Sequence, residues 1–379
     1  MSVNGKVMKQ QMIENSLFII ILLFPSYLFL NKISCGINKI EIKKYEYRVL
    51  EGLRGICSLL VVFHHYFWRL DPQSKWSIDY LNGSIYKYLI VMMGQIPVCF
   101  FFILSGFLFF NQVGKLKSIA MFYIKRLARI YPSILLSLVF SIIVSSYING
   151  QLNFEISGFY SLLPFVNTYF EGSSYGAVPI YLINNGIMWT LVWEIRLYIS
   201  IPILDFFNKY LANKLFLILI CVVVTFIIRC CGFISDQSSS FIMLFIIGFL
   251  ASAIKSYIIK NQPSKIIAIT FVCIAFSLFS NGKIYNFYSV FIFLPVFLTM
   301  VYEYKIWSFL KFNSFQYLGM ISFSLYLYHG CFQYLFSEKI TNPYLWLITS
   351  TLLLSVLMPF IYKSIEVQLS DKIKYKLLR

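Results

Sequence analysis

Charge is scarce in this 379-residue chain. Only 12% of its residues are Asp, Glu, Lys or Arg, about half the share that a soluble domain carries, which excludes a soluble globular fold. Histidine is rarer still, with three residues in the whole chain. The eight cysteines form no CxxC pair; most lie inside apolar runs (Cys57, Cys99, Cys221, Cys273, Cys331), and Cys230 and Cys231 are adjacent. That pattern excludes a disulfide framework and a cysteine metal cluster, and no metal ligand set is expected. There is no internal repeat, no low-complexity tail and no long polar domain. Acidic residues number 15 against 32 basic ones, for a formal charge of +17. The basic residues do not gather on one polar face but recur in alternate loops, so nucleic acid is not an expected partner.

What the chain has in abundance is apolar surface. Hydrophobic residues make up 59% of it and the mean hydropathy is +0.75. Apolar runs lie near 16–31, 52–68, 88–110, 130–148, 187–207, 214–230, 239–257, 265–280, 285–302, 317–336 and 344–363, each about the length a membrane helix needs. Tyr and Trp cluster near their ends, as membrane interfaces favour. The expected fold class is an all-α integral membrane protein: a polytopic bundle of about ten core transmembrane helices plus one N-terminal accessory span. The expected division is 1–47 as an accessory hydrophobic segment with a basic linker, 48–365 as the membrane domain, and 366–379 as a basic cytoplasmic tail. The first run contains Pro25 and follows Lys6 and Lys9. It reads as a span, as an interfacial segment, or as an extension upstream of a start at Met8 or Met12.

The loops give an orientation. Lys39, Lys43, Lys44, Arg48 and Arg54 precede or open the second run, and Lys115, Lys117, Lys125, Arg126 and Arg129 follow the third. Later loops on the same side hold Lys209 and Lys214, then Lys255, Lys260 and Lys265, then Lys305 and Lys311; Lys363 to Arg379 complete the set. The opposite loops are poor in Lys and Arg, and residues 149–186 contain none. The positive-inside rule places the basic set and the C-terminus in the cytoplasm.

Ionisable residues within apolar runs are candidates for function. They are His64, His65, His329 and Glu194, with Arg54 at the basic mouth of the second run. His65 follows Arg54 by roughly 16 Å of helix, which places it in the outer half of the bilayer. Glu194 and His329 each lie roughly 10 Å below the outer ends of their runs, so three titratable groups on three helices share a layer. Arg126 and Arg129 are one helical turn apart and suit bidentate contact with phosphate, although anchoring at the basic face explains them equally. Ser105-Gly106 reads as a close helix contact, Trp189 and Tyr198 as packing aromatics, and Arg196 as a partner for Glu194.

Five blocks then resemble the membrane acyltransferase 3 family, in that family's order. Glu51-Gly52-Leu53-Arg54-Gly55, with His65 eleven residues after the arginine, is similar to its D-G-L-R-G opening, with Glu51 in place of Asp and His64 an added neighbour. Phe101-Phe102-Ile103-Leu104-Ser105-Gly106-Phe107 resembles F-F-x-L-S-G-F. Arg126-Leu127-Ala128-Arg129 before Tyr131-Pro132 resembles R-x-x-R with its Tyr-Pro. Trp189-Thr190-Leu191 through Glu194, Tyr198 and Pro202 resembles W-[ST]-L-x-x-E-x-x-x-Y-x-x-x-P. Gly319 through Ser322, Ser324, Tyr326 and His329 resembles G-x-x-S-Y-S-L-Y-L-x-H.

The resemblance implies an O-acyltransferase of the cell envelope, in the inner membrane of a bacterial cell. Its donor would be an acyl-CoA, with acetyl-CoA as the default, offered from the cytoplasm and gripped by Arg126, Arg129 and Arg54; no other cofactor is expected. His65 would be the catalytic histidine, as base or covalent carrier, and Glu194 would orient it or place the acceptor. His64, His329, Trp189 and Tyr198 are further site candidates. The acceptor would be an envelope glycan or a lipid-linked sugar, acylated within the membrane domain or through a separate partner. The acyl group, the acceptor hydroxyl, the oligomeric state and any protein partner are not specified. From another functional class, a transporter or flippase for a lipid-linked or anionic solute would also use buried Glu, His and Arg; it would need no acyl-CoA. The orientation is testable. A fluorescent reporter fused after Arg379 is expected to light up and a phosphatase reporter at the same position to stay silent; the reverse pattern overturns the topology.

Overall fold

Chain with so little charge must satisfy its own backbone polar groups, and this one does so in helices. A computed structural model describes residues 3–42, 46–70, 85–150, 174–175, 178–179, 183–211, 213–255 and 284–377. The helices are α1 (Val3–Ile37), α2 (Arg48–Arg69), α3 (Ile85–Phe110), α4 (Ile119–Asn149), α5 (Met188–Leu211), α6 (Lys214–Cys230) and α7 (Asp236–Ile254). They continue with α8 (Phe293–Val301), α9 (Asn313–Met320), α10 (Ser322–Lys339), α11 (Pro343–Ile361) and α12 (Ser370–Leu377). Short 3-10 turns, Ser289–Ile292 and Lys305–Lys311, flank α8, and a π-helical segment, Tyr362–Leu369, joins α11 to α12. Among the described residues the only strands are an antiparallel pair, β1 (Ser174–Tyr175) and β2 (Val178–Pro179), with Ser174 opposite Pro179.

Among the described residues, five stretches are long and apolar enough to cross a membrane: Gln11–Ile37, Tyr88–Phe110, Ile119–Ile148, Asp236–Ile254 and Pro343–Leu377. A sixth forms if Ser289–Val301 and Lys305–Lys311, bent 72° to one another, are one broken span. That is fewer than the ten or so expected from apolar runs. The run near 265–280 lies outside the described residues. Helix α6 is only 17 residues long, while α2 and α5 carry arginine, histidine or carboxylate side chains along their length. Where 317–336 suggested one continuous helix, the chain breaks between α9 and α10 at Ile321. Helix α4 begins at Ile119 rather than near 130, because Ser118 caps it: the serine hydroxyl accepts from the Met121 amide at 3.3 Å. The extra turns carry Arg126 and Arg129 into the helix.

Helix α2 is the axis. Most of its side chains are buried, and its polar start is held by other elements. The Glu303 carboxylate accepts from the Arg48 and Val49 amides (3.0 and 3.5 Å), where a helix leaves its first N–H groups unpaired. The Gln316 amide donates to Arg48 O and Leu310 O at 2.8 and 2.7 Å. Gly55 lets α2 and α9 approach until their backbones meet: a Cβ there would sit 2.6 Å from Gly319 N. Helix α1 docks on the same assembly through Ser16 Oγ to the Tyr66 hydroxyl (3.0 Å) and Ser34 Oγ to Val356 O (2.7 Å). Its other face (Phe18, Ile21, Leu22, Phe29) is exposed, as are Leu135, Val139 and Ile143 on α4 and Leu219, Val223 and Ile227 on α6. An apolar exterior over a centre that contains polar groups suits a lipid solvent.

Helices α3 and α7 also cross closely, with Gly106 and Gly248 each facing the other helix's backbone. A Cβ on Gly248 would meet Ile103 O and lie 2.6 Å from Phe107 N; one on Gly106 would meet Phe245 O. Backbone cannot yield as a side chain can. Gly248→Val is therefore expected to destabilise the protein by about 1–3 kcal/mol, read as a lower thermal midpoint in detergent. Gly36→Ala, where nothing lies within 4 Å of the new Cβ, should leave the midpoint unchanged.

Candidate active site

Three helices turn matched faces toward one cavity. On α5, Thr190, Glu194 and Tyr198 recur every four residues and so share a face. On α10, Ser322 and Tyr326 do the same, and His329 and Gln333 extend the stripe. The first turns of α4 contribute Arg126, Arg129 and Ile130. With Arg54 of α2, the Phe101–Phe109 portion of α3 and Gln112 just beyond it, these side chains enclose a cavity of about 340 Å³. A wider cavity of about 690 Å³ lies on the basic side of it, shares Arg54, Leu104, Leu108 and Arg129, and adds Lys115, Lys255 and Lys374 with Glu46, Glu51, Glu366 and Asp371. Helix α12, in the segment expected as a tail, thus supplies part of the mouth.

The arginines differ in their settings. Arg54 pairs with Glu51, one turn earlier on α2, at 3.3 Å. The Arg126 guanidinium lies 4.7 Å from the centre of the Phe109 ring and 5.7 Å from that of Phe122, a cation–π seat. Its Nε is buried without a hydrogen-bond partner among the described residues. Glu194 and Tyr198 lie within electrostatic reach of it. The Tyr198 hydroxyl donates to Glu194. Glu366, from the π-helical segment, accepts from the Ser324 hydroxyl and lies within reach of Arg129 and Arg54.

The histidines form a second group. His329 Nε2 and His65 Nδ1 are 3.0 Å apart. Each ring also directs Nδ1 at peptide carbonyls of its own helix: His65 at Val61 O (3.0 Å), His329 at Tyr326 O (2.8 Å). A carbonyl only accepts, so both Nδ1 atoms carry the proton in the neutral pair. His65 Nδ1–H is then shared between Val61 O and His329 Nε2, each 3.0 Å away, and the basic lone pair of His65 sits on Nε2. His64 adjoins the pair edge-on, its ring centre 5.2 Å from that of His65, but its hydrogen bond goes to another helix. Its Nδ1 donates to Ile90 O at 2.6 Å, and its ring fills the space that a side chain at position 94 would take, since a Cβ on Gly94 would lie 2.6 Å from it.

Depth alone grouped His65, His329 and Glu194, and the structure divides them. The two histidines meet, whereas Glu194 takes the Tyr198 hydroxyl and faces the arginines. A position along a helix gives height but not azimuth. Arg196 does not pair with Glu194; it is exposed and stacks 4.4 Å from the Trp193 ring centre. Trp189 packs among Phe102, Phe241 and Tyr285. Ser105 lines the cavity while Gly106 makes the helix contact. Between the arginine cavity and the histidines stands one hydrogen bond, Thr190 Oγ1 to the Tyr326 hydroxyl at 2.8 Å; the Tyr326 ring centre is 6.1 Å from that of His329.

A family model described as an acyltransferase domain matches residues 47–364. The chain belongs to the acyltransferase 3 family. Comparison with curated proteins and with solved structures gives no match. Membership makes the protein an acyltransferase of the membrane, and the transport reading gives way to it. Sequence reasoning about this acyltransferase missed two residues beside the histidines, Arg69 and Gln333, although each lies four residues beyond a candidate histidine. It also missed Glu366, which the π-helical segment brings to the mouth.

The Glu194–Tyr198 contact is open to a double-mutant cycle. Tyr198→Phe removes the donor and leaves the carboxylate beside apolar rings, which should lower stability by about 1–3 kcal/mol. Adding Glu194→Gln should recover part of that loss, with a coupling of about 0.5–3 kcal/mol. Strict additivity in thermal unfolding would show the pair to be energetically idle.

Proposed function

We propose that this acyltransferase moves an acyl group, by default acetyl, from acyl-CoA at the basic, cytoplasmic face to a hydroxyl of a cell-envelope glycan or lipid-linked sugar. In this reading about ten spans form the bundle in a bacterial inner membrane, with 48–365 as the catalytic domain and 1–47 as an accessory segment. The observation that carries the proposal is the continuity of cations: the two cavities share Arg54 and Arg129, and the narrow one ends at Tyr326, against the histidine pair. An anionic nucleotide suits the wide mouth with Lys115, Lys255 and Lys374 around it. A slender thioester arm suits the narrower, largely apolar cavity. The buried Arg126 Nε offers a hydrogen-bond donor that no described residue uses.

The chemistry is short. A thioester is already activated, while a sugar hydroxyl is a poor nucleophile near neutral pH and needs a base. His65 Nε2 takes the hydroxyl proton as the oxygen adds to the thioester carbonyl. The carbon–sulfur bond then breaks, and the CoA thiolate leaves toward the arginines. A covalent route through an acyl-histidine uses the same lone pair. Val61 O sets the tautomer of His65, and His329, accepting from Nδ1–H, supports positive charge growing on the ring. Glu194 and Tyr198 border the donor path, and Trp189 and His64 hold the helices that form it.

Two measurements test this. Expression in a host lacking related activity, followed by mass profiling of envelope glycans, should show an added acyl mass with the wild type and none with His65→Ala. An unchanged mark in the variant would remove His65 from catalysis. Arg126→Gln should weaken acetyl-CoA binding to the purified protein at least about tenfold, equivalent to about 1.4 kcal/mol. Equal affinity would move the donor away from this cavity.

A further inference from the structure

Beyond the His65–His329 contact, four polar groups form a closed circuit that begins and ends on α2. Arg69 Nη2 donates to Asn185 Oδ1 at 2.9 Å, Asn185 Nδ2 donates to Gln333 Oε1 at 2.8 Å, and Gln333 Nε2 donates to Val62 O at 2.8 Å. The direction of every bond is forced from its two ends. A guanidinium only donates and a peptide carbonyl only accepts, so both amides between them have one allowed orientation. Gln333 and Asn185 are 1% and 5% exposed, so an amide left without its partner would be costly. Asn185 holds a left-handed backbone, φ 55°, a conformation asparagine adopts more readily than most residues. Gly330 admits that turn, because a Cβ there would lie 2.5 Å from the Asn184 carbonyl carbon.

The circuit encloses the candidate catalytic histidine. Val62 and Arg69 lie on either side of His65 in sequence, and Gln333 lies one turn beyond His329. A helix carbonyl points toward the C-terminus, so Val62 O reaches the level just past His65, where the Gln333 amide meets it. The bond therefore sets the separation and axial register of α2 and α10 one turn from the place where the two imidazoles must be 3.0 Å apart.

We infer that Gln333, fixed in orientation by Asn185 and Arg69, is a positioning residue that holds His329 Nε2 on His65 Nδ1, where it supports positive charge growing on His65. This rests on the reading of His65 as the catalytic histidine, but its geometric half stands without it. Gln333 touches neither reacting group. It acts by fixing one helix against another, and a loss of this bond alone loosens the imidazole contact while leaving the arginine cavity intact.

The chain's three histidines make the test direct, since selective ¹⁵N labelling of histidine gives six ring nitrogens. Full-length protein in lipid nanodiscs should show a magnetisation-transfer contact between His329 Nε2 and His65 Nδ1. Gln333→Glu preserves size but removes the donor to Val62 O. It should abolish that contact and lower the acyl mark on envelope glycans at least tenfold at equal membrane abundance. Gln316→Glu removes a comparable amide clamp at the other end of α2 and should keep the nitrogen contact. The inference falls if Gln333→Glu retains the contact, if Gln316→Glu loses it as well, or if Gln333→Glu loses the contact and still acylates at the wild-type level. Failure of the functional reading looks different: His65→Ala would acylate normally, whatever the nitrogen contact in Gln333→Glu reported.

Discussion

Everything polar at the centre of this acyltransferase depends on the enclosure of α2. That helix carries Arg48, Glu51, Arg54, His64, His65 and Arg69 within 22 residues, and no lipid-facing helix could bear them without water at hand. Each such group costs several kcal/mol if it is removed from water unpartnered. The surrounding elements are arranged to meet that demand. The bent segment after α8 supplies Glu303, α9 supplies Gln316 and the glycine contact at Gly319, and α10 supplies His329 and Gln333. Helix α1 closes the remaining side through Ser16 on Tyr66. The apolar exterior follows from this, since the polar groups are used up inside.

The enclosed polar groups fall into two compartments of different character. Cations collect around cavities that open at the basic face, where Glu51 balances Arg54 and the π-helical segment brings Glu366 within reach of Arg129. Imidazoles and amides occupy the region beyond Tyr326, together with one guanidinium, Arg69, held by Asn185. Tyr326, hydrogen-bonded to Thr190, lies at the boundary, its ring centre 6.1 Å from that of His329. In a medium of low dielectric constant an anion would be drawn most strongly to the first compartment, where more of the cations collect. A thioester held by its anionic end would therefore present its neutral acyl end to the histidines.

Much of this was legible in the sequence because lipid makes polar residues conspicuous. The histidines, Glu194, Arg54, Arg126 and Arg129 stood out among apolar neighbours, and the structure sets Glu194 and these arginines on one cavity and His65 against His329. Three things were not legible. The azimuth of Glu194 is set by how α5 rotates against α3 and α4, which spacing along one helix does not contain. The break at Ile321 and the early start of α4 at Ser118 fall inside or beside apolar runs that hydropathy treats as uniform. Gln333 and Asn185 are ordinary residues in isolation; their meaning comes from a bond between positions 148 residues apart.

The π-helical segment adds a property of another kind. A π turn takes one more residue than an α turn, so Tyr362–Leu369 contains a surplus that an unbroken helix from Pro343 would lack. The surplus sets the phase of all that follows: each residue removed would rotate α12 by about 100° relative to α11. Asp371 and Lys374 face the wide cavity only in the present phase. The charge of the mouth is therefore controlled by chain length as well as by residue type. Across any set of variants, insertions and deletions in this short stretch would re-aim the entrance while leaving every side chain of the inner site in place.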